Sequence, residues 1–139
     1  KHGSFVLGLI FLALSWNIFS LKQDYFSYFN PLAGGLKKGI FVLEPKWMIG
    51  QHEIVNHFSK FKPGLTIAFP EKYYTQVYPF IREMGDTPVI DTITPEAKEA
   101  DFFVYPVWRD TSQLDSRFKL TYQDSIYLRG VEIYKIYVK

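Results

Sequence analysis

From Ser4 to Leu21 the chain reads SFVLGLIFLALSWNIFSL, a run with no ionisable residue in which, past Ser4, only Ser15, Asn17 and Ser20 are polar. A helix packed on a water-soluble domain needs one apolar face and one polar face. This run has no polar face, and its roughly 18 residues approach the length that crosses a bilayer. It predicts a transmembrane helix over residues 1–21. Two other readings compete. In a cleaved signal segment, Lys1-His2 is the charged start, Phe5 to Leu12 the apolar middle and Ala13-Leu14-Ser15 a small-x-small cleavage pattern. The other is a buried helix. Trp16, Ile18, Phe19 and Leu21 follow the cleavage pattern and favour the membrane helix, because a soluble mature start has no use for them.

The pattern then changes to DYFSYFNPLAGG, with Tyr25, Phe26, Tyr28 and Phe29 inside five positions. Continued as helix, these rings meet at i+3 and i+4 spacing. Tyrosine suits the headgroup zone, where an apolar ring and a polar edge are both satisfied. Tyr25, Phe26, Tyr28 and Phe29 are therefore predicted to rest at the membrane interface, with Lys22 snorkelling beside them. Asn30-Pro31 ends the helix, because a residue before proline is pushed out of the α region. Gly34-Gly35 turns the chain. Residues 22–35 thus form an aromatic interfacial segment and turn.

Beyond Gly35 the periods are those of a globular α/β domain over residues 36–139. Trp47, Gln51, Ile54, Val55 and Phe58 recur at helical spacing within Lys46 to Phe61. Pro63-Gly64 closes that helix, and Leu65 to Phe69 reads as a short buried strand. A second helix over Glu71 to Met84 should kink or split at Pro79. Thr87 to Ile93 reads as a strand, Pro95 to Ala100 as a helical turn and Asp101 to Val107 as a core strand limited by Pro106. Ser125 to Gly130 and Val131 to Val138 are rich in β-branched and aromatic residues. In the latter, Val131 and Ile133 should face one side and Tyr134, Ile136 and Val138 the other. Gly130 marks a turn or bulge between them. The expected fold class is α/β, a small mixed sheet flanked by helices and preceded by one transmembrane helix.

Composition narrows the chemistry. The formal charge is +2 and the basic residues lie among acids, which gives no electrostatic footprint for nucleic acid. There is no cysteine, hence no disulfide framework and no thiolate site. Aromatic residues make up 19% of the chain, which points to a membrane boundary, a sugar-facing surface or a ring-rich core. A start at Lys1 rather than Met reads as a fragment or processed product.

Local motifs for catalysis fail on spacing. In HEIVNH, His52 and His57 are five apart, about 140° round a helix, whereas a zinc helix puts its histidines four apart on one face. No nucleophile elbow appears. Gly34-Gly35 lacks the spacing of a phosphate loop, although Lys37 and Lys38 beside it are candidate lipid-phosphate contacts. Glu44, Glu53, Asp86, Asp91 and Asp101 are dispersed, without the close pair that glycoside hydrolysis uses. No catalytic residue and no metal ligand is assigned.

The order of features resembles a known family. An apolar helix, then Tyr25, Ser27, Tyr28, Phe29, Asn30, Pro31, Leu32, Ala33, Gly34 and Gly35, then Trp47 are similar to the C-terminal end of GT-C class membrane glycosyltransferases that use lipid-phosphate-linked sugars. Protein O-mannosyltransferases and lipid A aminoarabinose transferases are of this class. Ala100-Asp101-Phe102-Phe103-Val104 and Gly130-Val131-Glu132-Ile133-Tyr134 resemble two strands of its last domain. The junction motif of Asn30, Pro31, Leu32, Gly34 and Gly35 is the specific part. Trp47-Met48-Ile49-Gly50 departs from the family's Trp-Gly pairing, and residues 109–122 match nothing in it. The resemblance implies a last membrane helix followed by a non-catalytic, extracytoplasmic domain, since the family's catalytic acids lie far upstream. It implies membrane lipid and the remaining transmembrane segments as partners, and brings in a lipid-linked sugar or its acceptor. It implies no cofactor in this chain and leaves open a divalent metal in the complete enzyme. The alternative is a single-span membrane-anchored module that binds glycan or protein.

Overall fold

The computed structural model describes residues 2–20, 34–42, 48–80, 82–109 and 117–139. Helix α1 runs His2–Ser20. A short helix α2, Gly35–Gly39, opens the domain, followed by α3, Gln51–Phe58, and α4, Glu71–Val77. Five strands follow the order of the chain: β1 Ile67–Phe69, β2 Val89–Asp91, β3 Phe102–Pro106, β4 Thr121–Leu128 and β5 Val131–Val138. They form one mixed sheet in the order β2-β1-β3-β5-β4. The first three are parallel, and β5 and β4 run antiparallel to their neighbours. The α/β class and the flanking helices are as the sequence pattern predicts.

The crossovers explain the two layers. The β1-to-β2 connection carries α4, and the β2-to-β3 connection passes back over β1 through a 3₁₀ turn at Pro95–Glu99. Parallel crossovers are right-handed, so reversing direction along the sheet sends the second one to the opposite face. The helix-bearing face holds the main core, including Ile40, Ile49, Ile54, Phe58, Phe69, Tyr73, Val104, Ile133 and Tyr134. The other holds a smaller cluster of Ala68, Ala97, Ala100, Phe103, Tyr105, Phe118 and Tyr137. Asp101 aligns the parallel pair: its backbone N–H donates to Thr66 O at 2.9 Å and its carboxylate accepts from Thr66 N–H at 2.7 Å.

Several boundaries differ from the sequence pattern. Helix α3 starts at Gln51 because Gly50, at φ +69, turns the chain there; a Cβ on Gly50 would lie 2.4 Å from Ile133 Cδ1. Only glycine lets the backbone come this close to β5. The helix begun at Glu71 stops at Val77 and continues as 3₁₀ turns over Tyr78–Phe80 and Arg82–Met84. That split matches the break expected at Pro79.

The last hairpin turns at Arg129-Gly130, both left-handed at φ +49 and +76. Its expected alternation is wrong by one residue. The register shifts twice, between Tyr122 and Asp124 and between Ile126 and Tyr127, so Gln123 on β4 and Ile133 on β5 are extra residues. The bulge turns Ile133, Tyr134 and Ile136 all into the main core, instead of placing Ile133 opposite the other two.

Helix α1 stands apart in character. Its apolar side chains are distributed on all faces, with no amphipathic stripe. Every large apolar side chain described from Phe5 to Phe19 is more than half exposed. A 19-residue helix occupies the span of the expected transmembrane helix, but among the described residues no helix is long and apolar enough to cross a membrane.

Candidate functional site

Of the sequence-predicted interface residues, Tyr25, Phe26, Tyr28 and Phe29 lie outside the described residues, as do Asn30, Pro31, Leu32 and Trp47. Gly34 and Gly35 both take positive φ, +106 and +58, the conformation a consecutive glycine pair permits. The stem of Lys38 folds over Gly34, so a Cβ there would meet Lys38 Cδ at 2.3 Å.

Leu36 and Ile40, one helical turn apart, point inward; Ile40 is buried in the main core and Leu36 packs against it. Lys37 and Lys38 are exposed. The chain continues in tight turns, with Phe41 N–H on Lys38 O at 3.2 Å and Val42 N–H on Gly39 O at 3.0 Å. These turns hold Phe41 and Val42 outward, 66% and 81% exposed. Lysines and apolar residues thus share a fixed outward face that the Ile40 anchor ties to the domain.

In open α/β sheets, ligands settle where strand order reverses, outside the carboxyl ends of the strands. That position here is beyond β1 and β3, and the protein fills it with its own rings. Trp108 Nε1–H donates to Tyr73 Oη at 3.0 Å, and the Trp108 ring stands edge-on to Tyr134 at 5.4 Å. Tyr134 Oη–H in turn donates to Ile49 O at 2.7 Å. Burial raises the Tyr73 phenol above its ordinary value, against the lowering effects of the Trp108 hydrogen bond and Arg109. The group stays neutral and structural. An open cleft of about 330 Å³ beside α4 is lined by Tyr78, Pro79, Arg82 and Asp86.

Two polar groupings escape the sequence pattern because the bulges assemble them. On the face opposite the helices, Ser125 Oγ–H donates to Glu132, and the Tyr122 hydroxyl lies 3.1 Å from Ser125 Oγ. A serine has one hydroxyl proton, so Tyr122 is the donor in that second bond. Asp124 lies towards α3, and its Oδ2 is 4.0 Å from His57 Nε2. Burial holds the His57 pKa below its ordinary value, with Asp124 opposing the shift and Lys60 adding to it. Serine, histidine and carboxylate do not form a catalytic triad here: Ser125 bonds to Glu132, and His57 faces Asp124 instead.

His52 and His57 also make separate contacts, His52 edge-on to Phe80 and His57 against Phe58 and Phe61. Among the described residues no group of three metal-ligating side chains comes together. No family model, curated protein or solved structure matches this chain.

Proposed function

We propose that this chain is the last membrane helix and the extracytoplasmic C-terminal domain of a glycosyltransferase that uses a polyprenyl- or dolichyl-phosphate-linked sugar. Its role is non-catalytic: to cover the catalytic chamber, shape acceptor access or brace the membrane bundle. The observation that carries the reading is α1, whose described large apolar side chains are exposed on all sides and which precedes the aromatic segment and NPLAGG junction in sequence. Burying such a surface needs lipid or other apolar helices. At the start of the domain, Gly34 and Gly35 are both left-handed and α2 is anchored by Ile40 and Leu36.

The test is sugar transfer from a polyprenyl-phosphate sugar in membranes holding the complete enzyme. Deleting residues 36–139 should abolish or strongly reduce transfer, and residues 1–139 alone should transfer nothing. Transfer by this chain alone, or an unchanged rate after the deletion, contradicts the reading.

One observation favours the alternative of an anchored glycan- or protein-binding module. Tyr122 and Tyr127 expose about half of their surface on the same sheet face as Glu132. Flat rings beside a carboxylate suit a sugar, whose C–H face stacks and whose hydroxyls donate. Saturable shifts of these tyrosine signals on adding oligosaccharide to the reconstituted chain support it, and unchanged spectra dismiss it.

A further inference from the structure

We infer that the turn after α2 is a second membrane contact, in which Phe41 and Val42 dip into the bilayer surface while Lys37 and Lys38 hold lipid phosphates. This rests on the reading of α1 as a membrane helix.

The geometry is that of an interfacial wedge. Lys37 and Lys38 are exposed on α2, and Phe41 and Val42 follow at once in turns closed by i→i−3 hydrogen bonds, so two lysines and two apolar residues share the outward side of one short segment. Scattered single apolar residues are ordinary on a protein surface. Here two large ones sit side by side in a hydrogen-bonded turn, while Ile40 between them and α2 is locked in the core. A loop that merely connected elements in water would gain nothing from fixing both outward.

Two further features identify the bilayer as the occupant. Lysines beside exposed apolar side chains match an anionic headgroup layer above a hydrocarbon layer. The turn is also tethered to α1: the chain from Ser20 to Gly34 cannot reach beyond about 50 Å fully extended, so a membrane-bound α1 presents the turn to the same surface at high effective concentration. Lys38 reaches the phosphates from a stem already laid across Gly34, which limits the freedom it loses on binding.

The chain has no cysteine, so a single substitution places a unique nitroxide label. Three labelled forms of the full chain, Val42→Cys, Leu12→Cys and Tyr127→Cys, are reconstituted in vesicles of phosphatidylcholine with phosphatidylglycerol. Collision with oxygen reports lipid, and collision with a water-soluble nickel chelate reports solvent. The Val42 label should meet the chelate at least about threefold less often than the Tyr127 label. Lys37→Glu with Lys38→Glu should restore chelate access at Val42 without changing the Leu12 label.

A Val42 label as accessible as the Tyr127 label overturns the inference. If Leu12 is at the same time shielded, the membrane-helix reading stands; if Leu12 meets the chelate freely, that reading fails too. Equal shielding of Val42 in phosphatidylcholine alone, or with both lysines reversed, removes the role assigned to the lysines.

Discussion

Helices α1 and α3 take the same kinds of apolar side chain and treat them in opposite ways. Helix α3 buries Ile54, Val55 and Phe58 against the sheet and leaves Asn56 in water. Helix α1 has Phe, Leu, Ile and Val on every side and buries none of those described. The protein domain completes α3 as its solvent; it does not complete α1. Amphipathic patterning, rather than hydrophobicity alone, decides which helices a small core accepts.

The sharpest test of that contrast pairs two phenylalanines. Phe58→Ala removes a ring that is 2% exposed, and should cost the domain about 3–5 kcal/mol in chemical denaturation. Phe11→Ala removes one that is 71% exposed, and should leave the same transition within about 0.5 kcal/mol. A large loss from Phe11→Ala would mean that α1 belongs to the domain's core after all.

Gly50→Ala comes next, at about 2–4 kcal/mol, because it adds left-handed strain to a clash with Ile133. A melt unaffected by this change would refute the close approach of the Gly50 backbone to β5. Trp108→Phe should cost about 1–2 kcal/mol by leaving Tyr73 Oη without its donor at the strand-order reversal. Adding Tyr73→Phe in a double-mutant cycle should recover part of that loss.

A smaller effect concerns acid. The His57 pKa is lower in the folded protein than in the unfolded chain, so the unfolded chain binds more protons as pH falls. Stability should therefore be fully present above pH 6.5 and decline as pH drops through the folded-state value. His57→Gln should flatten that decline in melts measured across the acid range; an unchanged slope would assign it to other groups. Smallest of all, Arg129→Asn should raise stability by up to about 1 kcal/mol, since asparagine tolerates the left-handed hairpin position better than arginine does.

Elements with a strong period were legible in sequence. Ile54, Val55 and Phe58 marked α3, Pro79 marked the break after α4, and the dense β-branched run marked β5. The start of α3 was not legible, because it depends on Gly50 meeting Ile133, eighty-three positions away. The Tyr122–Ser125–Glu132 chain was hidden for a related reason. Two bulges of opposite sense cancel over the hairpin, so the register at the turn and at the far end is simple while the middle is displaced. The switch-point filling by Trp108 and Tyr73 needs the sheet order, which no local pattern states. At the junction, the sequence marked Gly34, Gly35, Lys37 and Lys38, but Phe41 and Val42 carried no visible signal because an apolar pair reads as core until its exposure is known.

The most direct measurement of the central claim is amide hydrogen exchange along α1 in the full chain reconstituted in lipid vesicles. If lipid surrounds the helix, amides from Phe5 to Phe19 should resist exchange for hours, at least as long as those of β5 in the core. Exchange of that stretch within seconds, with β5 still protected, would show an α1 in water and contradict the account.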